Sequence, residues 1–332
     1  KRPAESLFRQ RPTVVRRHVE EVDALIHGPA NRAIALVHVG HQEIIRVARE
    51  MADQRQTDVV LMTFEPHPLA VLHPEKAPPI LTPISLKKQL LIELGVDVRL
   101  LLDANPETLS LAPEQFVRKF VSESLQPSAL VEGEDFNFGA ARAGNVQLLT
   151  EMGQQSGFEV VVIPAKKIEI PDGQTIRVSS TMVRYMLGSG KVADAAMALG
   201  RAYRLIGPIC SGRGIGRKLG FPTLNMTKPD QLVPAEGVYA GYVQLGRTED
   251  EIARPGNRIR AIFSIGQART FGDEHPLLIE AHLLVNGDAD LAGKWMAMDF
   301  VDFIRPQHKF TSPEELSKQI TKDCRKAMDI LR

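Results

Sequence analysis

Thr223 and Asn225 stand two apart in GFPTLN (220–225), offering a hydroxyl and an amide oxygen beside a glycine-proline turn. Both are hard, neutral donors, which suits Mg²⁺ held mainly by nucleotide phosphates with few protein contacts. Just upstream, SGRGIGRKLG (211–220) places Gly212, Gly214, Gly216 and Gly220 among Arg213, Arg217 and Lys218. Glycines let backbone N–H groups approach phosphate oxygens, and the basic side chains supply charge. A surface turn leading into a strand would carry the same letters, so the pattern gains weight only from a second phosphate motif. Two candidates exist: HVGH, with His38 and His41, and RVSSTMVR (177–184), with Ser179, Ser180, Thr181 and Arg184.

The secondary structure around these groups follows from periodicity. The first half alternates short apolar runs with helical patterns, the signature of βαβ units and a parallel sheet. Strands are expected at 33–37, 58–63, 97–102, from 129, and at 159–164, and helices at 42–54, 86–94, 112–123 and 145–156. The proline-rich stretch 63–83 reads as an extended loop or flap. Helices at 181–187 and 192–199 follow, and after Gly200 the pattern changes to strands at 203–210, 237–244, 258–265 and 279–285 with few helices between them. That predicts an antiparallel sheet or small closed barrel, capped by a final helix over 313–331. The domain boundary is expected near 188–202, giving modules 1–190 and 200–332.

Bulk properties narrow the function classes. A length of 332 residues suits about two domains. The net charge of +1 gives no basic field for nucleic acid, so attraction of anions must be local and the ligand small. Two cysteines are too few for a disulfide framework and lack metal-ligand spacing. No stretch approaches the roughly 20 apolar residues of a membrane span, and the basic start lacks the apolar core of a secretory signal. A cytoplasmic protein is expected, with small-molecule partners and self-association left open.

HVGH falls after a predicted strand and before a predicted helix, where free N–H groups and the helix dipole stabilise phosphate. Histidines there can donate hydrogen bonds to the oxygens of a phosphorus centre, and charge stabilisation is most of what nucleotidyl transfer needs. A structural role for the two histidines is the competing reading; zinc is disfavoured by the lack of a third ligand nearby. In RVSSTMVR one hydroxyl is explained by N-capping, but three hydroxyls followed by Arg184 also suit a triphosphate. With GEDFNFG (133–139), whose Asp135 ends a strand, this half resembles the HxGH nucleotidyltransferase superfamily.

Taken together, TFEPHP (63–68), GEDFNFG, RVSSTMVR, GFPTLN, EGVYAG (236–241) and the IEAHLL run around Glu280 resemble the bacterial bifunctional riboflavin kinase and FMN adenylyltransferase, or FAD synthetase, family from about residue 33 to 331. The resemblance implies a Rossmann-like adenylyltransferase module followed by a small antiparallel β-barrel riboflavin kinase module with a C-terminal helix. The reactions are phosphorylation of riboflavin to FMN and adenylylation of FMN to FAD, with ATP as co-substrate and Mg²⁺ as cofactor. It further implies that His38 and His41 stabilise ATP phosphates, that Ser179, Ser180, Thr181 and Arg184 hold the triphosphate, and that Asp135 contacts the nucleotide. The loop residues Gly212, Arg213, Gly214, Gly216, Arg217 and Lys218 would face phosphate, Thr223 and Asn225 the metal, and Phe64, Pro66, His67 and Pro68 the flavin. Glu280 becomes the general base for the riboflavin 5′-hydroxyl; on strand pattern alone it would be a solvated face residue.

Three departures from the family stand out. Its Gly-x-Phe-Asp-Gly turn before HxGH is missing, since AIAL (33–36) runs straight into VHVGH. Leu224 replaces the usual alanine, and Ser264 stands where asparagine is frequent. The missing turn leaves a second reading open, a chain in which only the kinase works above a degenerate N-terminal module.

Overall fold

The computed structural model describes residues 13–16, 32–36, 42–212, 214–267, 277–284 and 294–332. The chain divides into two compact units, 1–78 with 90–166, and 79–89 with 167–332.

The first unit is built on strands β1 (Thr13–Arg16), β2 (Arg32–Leu36), β3 (Asp58–Glu65), β4 (Val98–Asp103), β5 (Ala129–Gly133) and β8 (Glu159–Ile163), ordered β1-β4-β3-β2-β5-β8. A small pair, β6 (Asn137–Phe138) with β7 (Gly144–Asn145), lies between the last two in sequence. All pairings in the large sheet are parallel except the β1–β4 edge. In β3 the run Val59–Met62 is buried throughout, as an interior parallel strand must be. Alternate side chains serve opposite layers: Val59 and Leu61 pack with Ile44, Ile45 and Ala48 of the helix Gln42–Arg55, whereas Val60 and Met62 pack with Leu100, Phe116 and Phe120. The chain winds β2 to β3 to β4 in one direction, then returns to β5 on the other side of β2. That reversal makes the carboxyl ends of β2 and β5 a topological switch point, the kind of place where open α/β sheets bind ligands.

Two local expectations differ. Over 112–123 a plain helix is expected, but only Pro113–Phe116 is α-helical, and Val117–Leu125 winds more widely as a π-helix. The Ser124 hydroxyl donates to the Lys119 carbonyl, and Gln126 N to Val121 O, both five residues back. Nor is 63–83 one extended flap. Thr63 to Glu65 complete β3, Pro68–Leu72 is a helical turn and Pro74–Lys76 a 3₁₀ turn, because Pro68 and Pro74 occupy first-turn positions where no N–H is needed.

The second unit opens with the hairpin β9 (Lys167–Glu169) and β10 (Thr175–Arg177) and the helices Ser180–Gly188 and Val192–Leu199. Its centre is a closed antiparallel barrel of β11 (Tyr203–Cys210), β12 (Leu224–Met226), β13 (Gly237–Gly246), β14 (Ile259–Gln267), β15 (Leu277–Leu283) and β16 (Trp295–Arg305), in the order β11-β12-β15-β14-β13-β16. Tyr203, Tyr239, Phe263 and Phe300 fill its interior, continuous with Val183, Met186 and Leu187 of the first helix. β16 closes the barrel yet lacks a clean sequence alternation, and its pairing with β13 shifts register between Val238 and Tyr239 and between Ala240 and Gly241. The helix Pro313–Ile330 covers Val238, Ala240, Ile262 and Ile304 through Ala327. Two buried ion pairs tie the unit: Arg204 with its cross-strand partner Asp299, and Arg305 with Asp323 of the C-terminal helix.

Candidate active sites

On β15, Ile279 and Ala281 point into the barrel at 1% and 0% exposure, so Glu280 and His282 point outward. On β12, Leu224 and Met226 pack on the core, leaving Thr223 and Asn225 on that same outer side. The register sets Asn225 directly opposite Glu280, and Leu224 opposite Ala281. Thr223 Oγ1 lies 3.4 Å from Glu280 Oε1, beyond the roughly 2.5–3.0 Å of a strong O–H···O bond. The residues predicted from GFPTLN and IEAHLL therefore converge on one surface, although Asn225 and Glu280 stand 55 positions apart in the chain.

The glycine loop folds onto this pair. A Cβ on Gly212 would stand 2.1 Å from Asn225 Nδ2, and one on Gly216 would stand 2.4 Å from Phe221 O and 3.3 Å from Thr223 Oγ1. Backbone this close to the Asn225 amide and the Phe221 carbonyl is possible only where no side chain intervenes, which is the physical reason for glycine at both positions. Gly214 adopts a left-handed conformation ahead of the turn Ile215–Lys218, on which Arg217 and Lys218 are exposed. Arg213 lies outside the described residues. Among the described residues no group of three or more His, Cys, Asp or Glu side chains could hold a metal. The neutral donors here are instead one hydroxyl and one amide, which fits a hard divalent cation that takes most of its ligands from phosphate and water.

His282 was not a sequence candidate. Its Nδ1 lies 2.8 Å from the Pro222 carbonyl, and the Phe221 ring meets the imidazole edge-on at 5.5 Å. Its signal was the two-residue spacing from Glu280, which puts both on one strand face. Ser264 lies opposite Glu280 on β14, and Gln307 Nε2 donates to its hydroxyl at 3.0 Å.

In the first unit, Asp135 is exposed in the turn after β5, where Phe136 N closes onto Gly133 O and Asn137 Nδ2 donates to Asp135 O. Phe64, next to last in β3, packs on Phe116 at a ring distance of 6.2 Å. His67 Nδ1 accepts from Leu69 N, capping the helical turn begun by Pro68, and Pro66 is exposed beside it. These residues and Asp135 leave the carboxyl edge of the sheet, at the ends of strands that flank β2. His38 and His41, which follow β2 in sequence, lie outside the described residues.

Ser179, Ser180, Thr181 and Arg184 belong to the second unit. Ser179 Oγ is the N-cap, accepting from Met182 N at 3.2 Å; Ser180 begins the helix and Thr181 is exposed in its first turn. Arg184 Nε donates to Pro79 O at 2.9 Å, and burial lowers its pKa from the usual arginine value. Capping thus accounts for one of the three hydroxyls.

Residues 37–182 match the family model described as FAD synthetase, and residues 199–331 the one described as riboflavin kinase. The bifunctional riboflavin kinase/FMN adenylyltransferase of Escherichia coli K12 is 33% identical over 287 residues, covering 86% of this chain and 87% of that protein. Its counterpart in Listeria monocytogenes is 30% identical over 300 residues, covering 88% and 90%. A solved structure described as a macrolide-efflux protein from Streptococcus pneumoniae superposes with a TM-score of 0.74 at 25% identity, over 89% of this chain and 93% of that one. Among the described residues of the present chain, no helix is long and apolar enough to cross a membrane.

Proposed function

Because the chain belongs to the family of bifunctional riboflavin kinase/FMN adenylyltransferases, and so converts riboflavin to FMN and FMN to FAD at the expense of ATP, we propose that each reaction is run by its own residues, the kinase by 200–332 and the adenylyltransferase by 1–190. In the kinase reaction Glu280 accepts the proton of the riboflavin 5′-hydroxyl as its oxygen attacks the γ-phosphate of ATP in line, releasing ADP. Thr223 and Asn225 hold the divalent cation, read as Mg²⁺. When bound, that cation offsets phosphate charge. The backbone of Gly212, Gly214 and Gly216 lies along the phosphates, with Arg213, Arg217 and Lys218 supplying charge.

In the second reaction the FMN phosphate attacks the α-phosphate of ATP and pyrophosphate leaves. His38 and His41 stabilise the charge that develops, Ser180, Thr181 and Arg184 bind the triphosphate beside the Ser179 cap, and Asp135 contacts the nucleotide. Phe64, Pro66, His67 and Pro68 form the flavin side. A cytoplasmic location belongs to the same reading. The kinase-only alternative is not favoured, since the FAD synthetase match spans HVGH and GEDFNFG.

The observation that carries the kinase assignment is the cross-strand pairing of Asn225 with Glu280 under the glycine loop. A reciprocal pair of variants tests the division. Asn225→Ala is expected to lower FMN formation from riboflavin while FAD formation from supplied FMN persists, and Arg184→Ala to do the reverse. Loss of both activities in either folded variant would overturn it.

A further inference from the structure

We propose that His282 is a positioning residue for riboflavin phosphorylation, clamping the metal seat to the strand that carries the base; this rests on the reading of Thr223, Asn225 and Glu280 as the kinase site. The β12–β15 register ends at Leu224 opposite Ala281. Continued, the ladder would set Thr223 opposite His282 and then Pro222 opposite Leu283, where Pro222 has no N–H to give it. At that point the His282 imidazole reaches the Pro222 carbonyl, 2.8 Å away. A carbonyl only accepts, so Nδ1 is the protonated nitrogen and donates. A side-chain hydrogen bond thus continues the strand pairing where backbone pairing must stop.

What is clamped matters more than the clamp. Pro222 immediately precedes Thr223, whose hydroxyl approaches Glu280 at 3.4 Å without locking onto it. The Phe221 ring rests edge-on against the imidazole, and Phe221 O is the atom that a Cβ on Gly216 would strike. His282 therefore touches the two residues joining the glycine loop to the metal seat, from a position two residues along the strand from Glu280. Loop and seat form one continuous stretch, 211–225, the base lies on another strand, and this side chain reaches from the strand of the base to the join between loop and seat. Small shifts in such alignment are costly to phosphoryl transfer, which depends on positioning.

Two variants separate the hydrogen bond from the ring. His282→Phe keeps a ring for Phe221 but has no donor, whereas His282→Asn keeps a donor near the place of Nδ1 but has no ring. Calorimetric binding of ADP with Mg²⁺ and steady-state FMN formation are measured for both, with FAD formation from supplied FMN reporting on integrity. His282→Phe is expected to weaken ADP–Mg²⁺ binding and kcat/KM for FMN formation by about tenfold, the size of one lost hydrogen bond, with His282→Asn within about threefold of the parent protein. Equal impairment of the two, or a wild-type His282→Phe, overturns the proposal. Asn225→Ala run alongside distinguishes the failures: if it too binds and turns over normally, the kinase-site reading itself falls.

Discussion

Replacing Gly212 with alanine adds one methyl group at the point where the loop backbone meets Asn225. The new Cβ would lie 2.1 Å from Asn225 Nδ2 and 2.7 Å from Cγ. Ordinary van der Waals contact begins near 3.4 Å, so the amide must move by about 1 Å or the loop must lift by as much. Gly212 is exposed and is not among the residues of positive φ. Alanine is therefore conformationally permitted there, and global stability is expected to change by no more than about 0.5 kcal/mol. A misplacement of about 1 Å in a reacting constellation can cost on the order of 100-fold in rate, or about 2.7 kcal/mol of transition-state stabilisation. Steady-state FMN formation from riboflavin and ATP should fall by that order, with FAD formation from supplied FMN and the thermal midpoint unchanged. Gly214→Ala is the comparator: at φ +69° it strains the backbone, but its Cβ meets nothing within 4 Å, so kinase activity should fall much less. Wild-type FMN formation in Gly212→Ala would refute the placement of Asn225 in the site.

The second unit gives three further expected outcomes. Asp323 is 3% exposed and takes Arg305 through both carboxylate oxygens, with Gln319 as a third donor. Asp323→Ala strands the guanidinium and should cost about 3–5 kcal/mol in urea unfolding, much of it recovered when Arg305→Met is added. Burial, with the Asp323 carboxylate beside it, pushes the Cys324 thiol up to about 11, whereas Cys210 is exposed. A thiol reagent at pH 8 should thus label Cys210 alone in the native protein and both cysteines after unfolding. Because the unfolded thiol ionises first, near pH 8.5–9, the stability contributed by Cys324 is complete below that pH and is lost as pH rises toward about 11. Cys324→Ala should flatten that part of the stability–pH curve.

The sequence made much of this fold legible because its strongest signals are local. Apolar runs such as DVVLMT and YRLIGPIC need no tertiary knowledge to be read as strands, and the observed β11 spans the expected 203–210. What stayed hidden depends on partners far away in sequence. β16 mixes inward and outward residues because bulges in its pairing with β13 shift the register, so its letters carry no steady period. The switch from helical to strand pattern near 188–202 marks a change of secondary structure, whereas compactness assigns 79–89 and 167–202 to the barrel's unit. Ile80 explains part of that, pairing with Gln231 in a parallel bridge while Gln231 also donates to Leu81 O. At the site, the residue types of GFPTLN and Glu280 could be read, but their opposition across β12 and β15 is a matter of register that no spacing along the chain encodes. The same holds for His282, whose partner carbonyl lies 60 residues earlier.

Glu280 is proposed to serve the kinase reaction and that reaction alone. Glu280→Gln keeps the shape of the side chain and removes its basicity, so the most direct measurement follows both products from one preparation, FMN from riboflavin and ATP, and FAD from FMN and ATP. The first rate is expected to fall by about 10²–10⁴ while the second stays at its parent value. Equal loss of both rates, or a kinase rate left intact, would contradict that role.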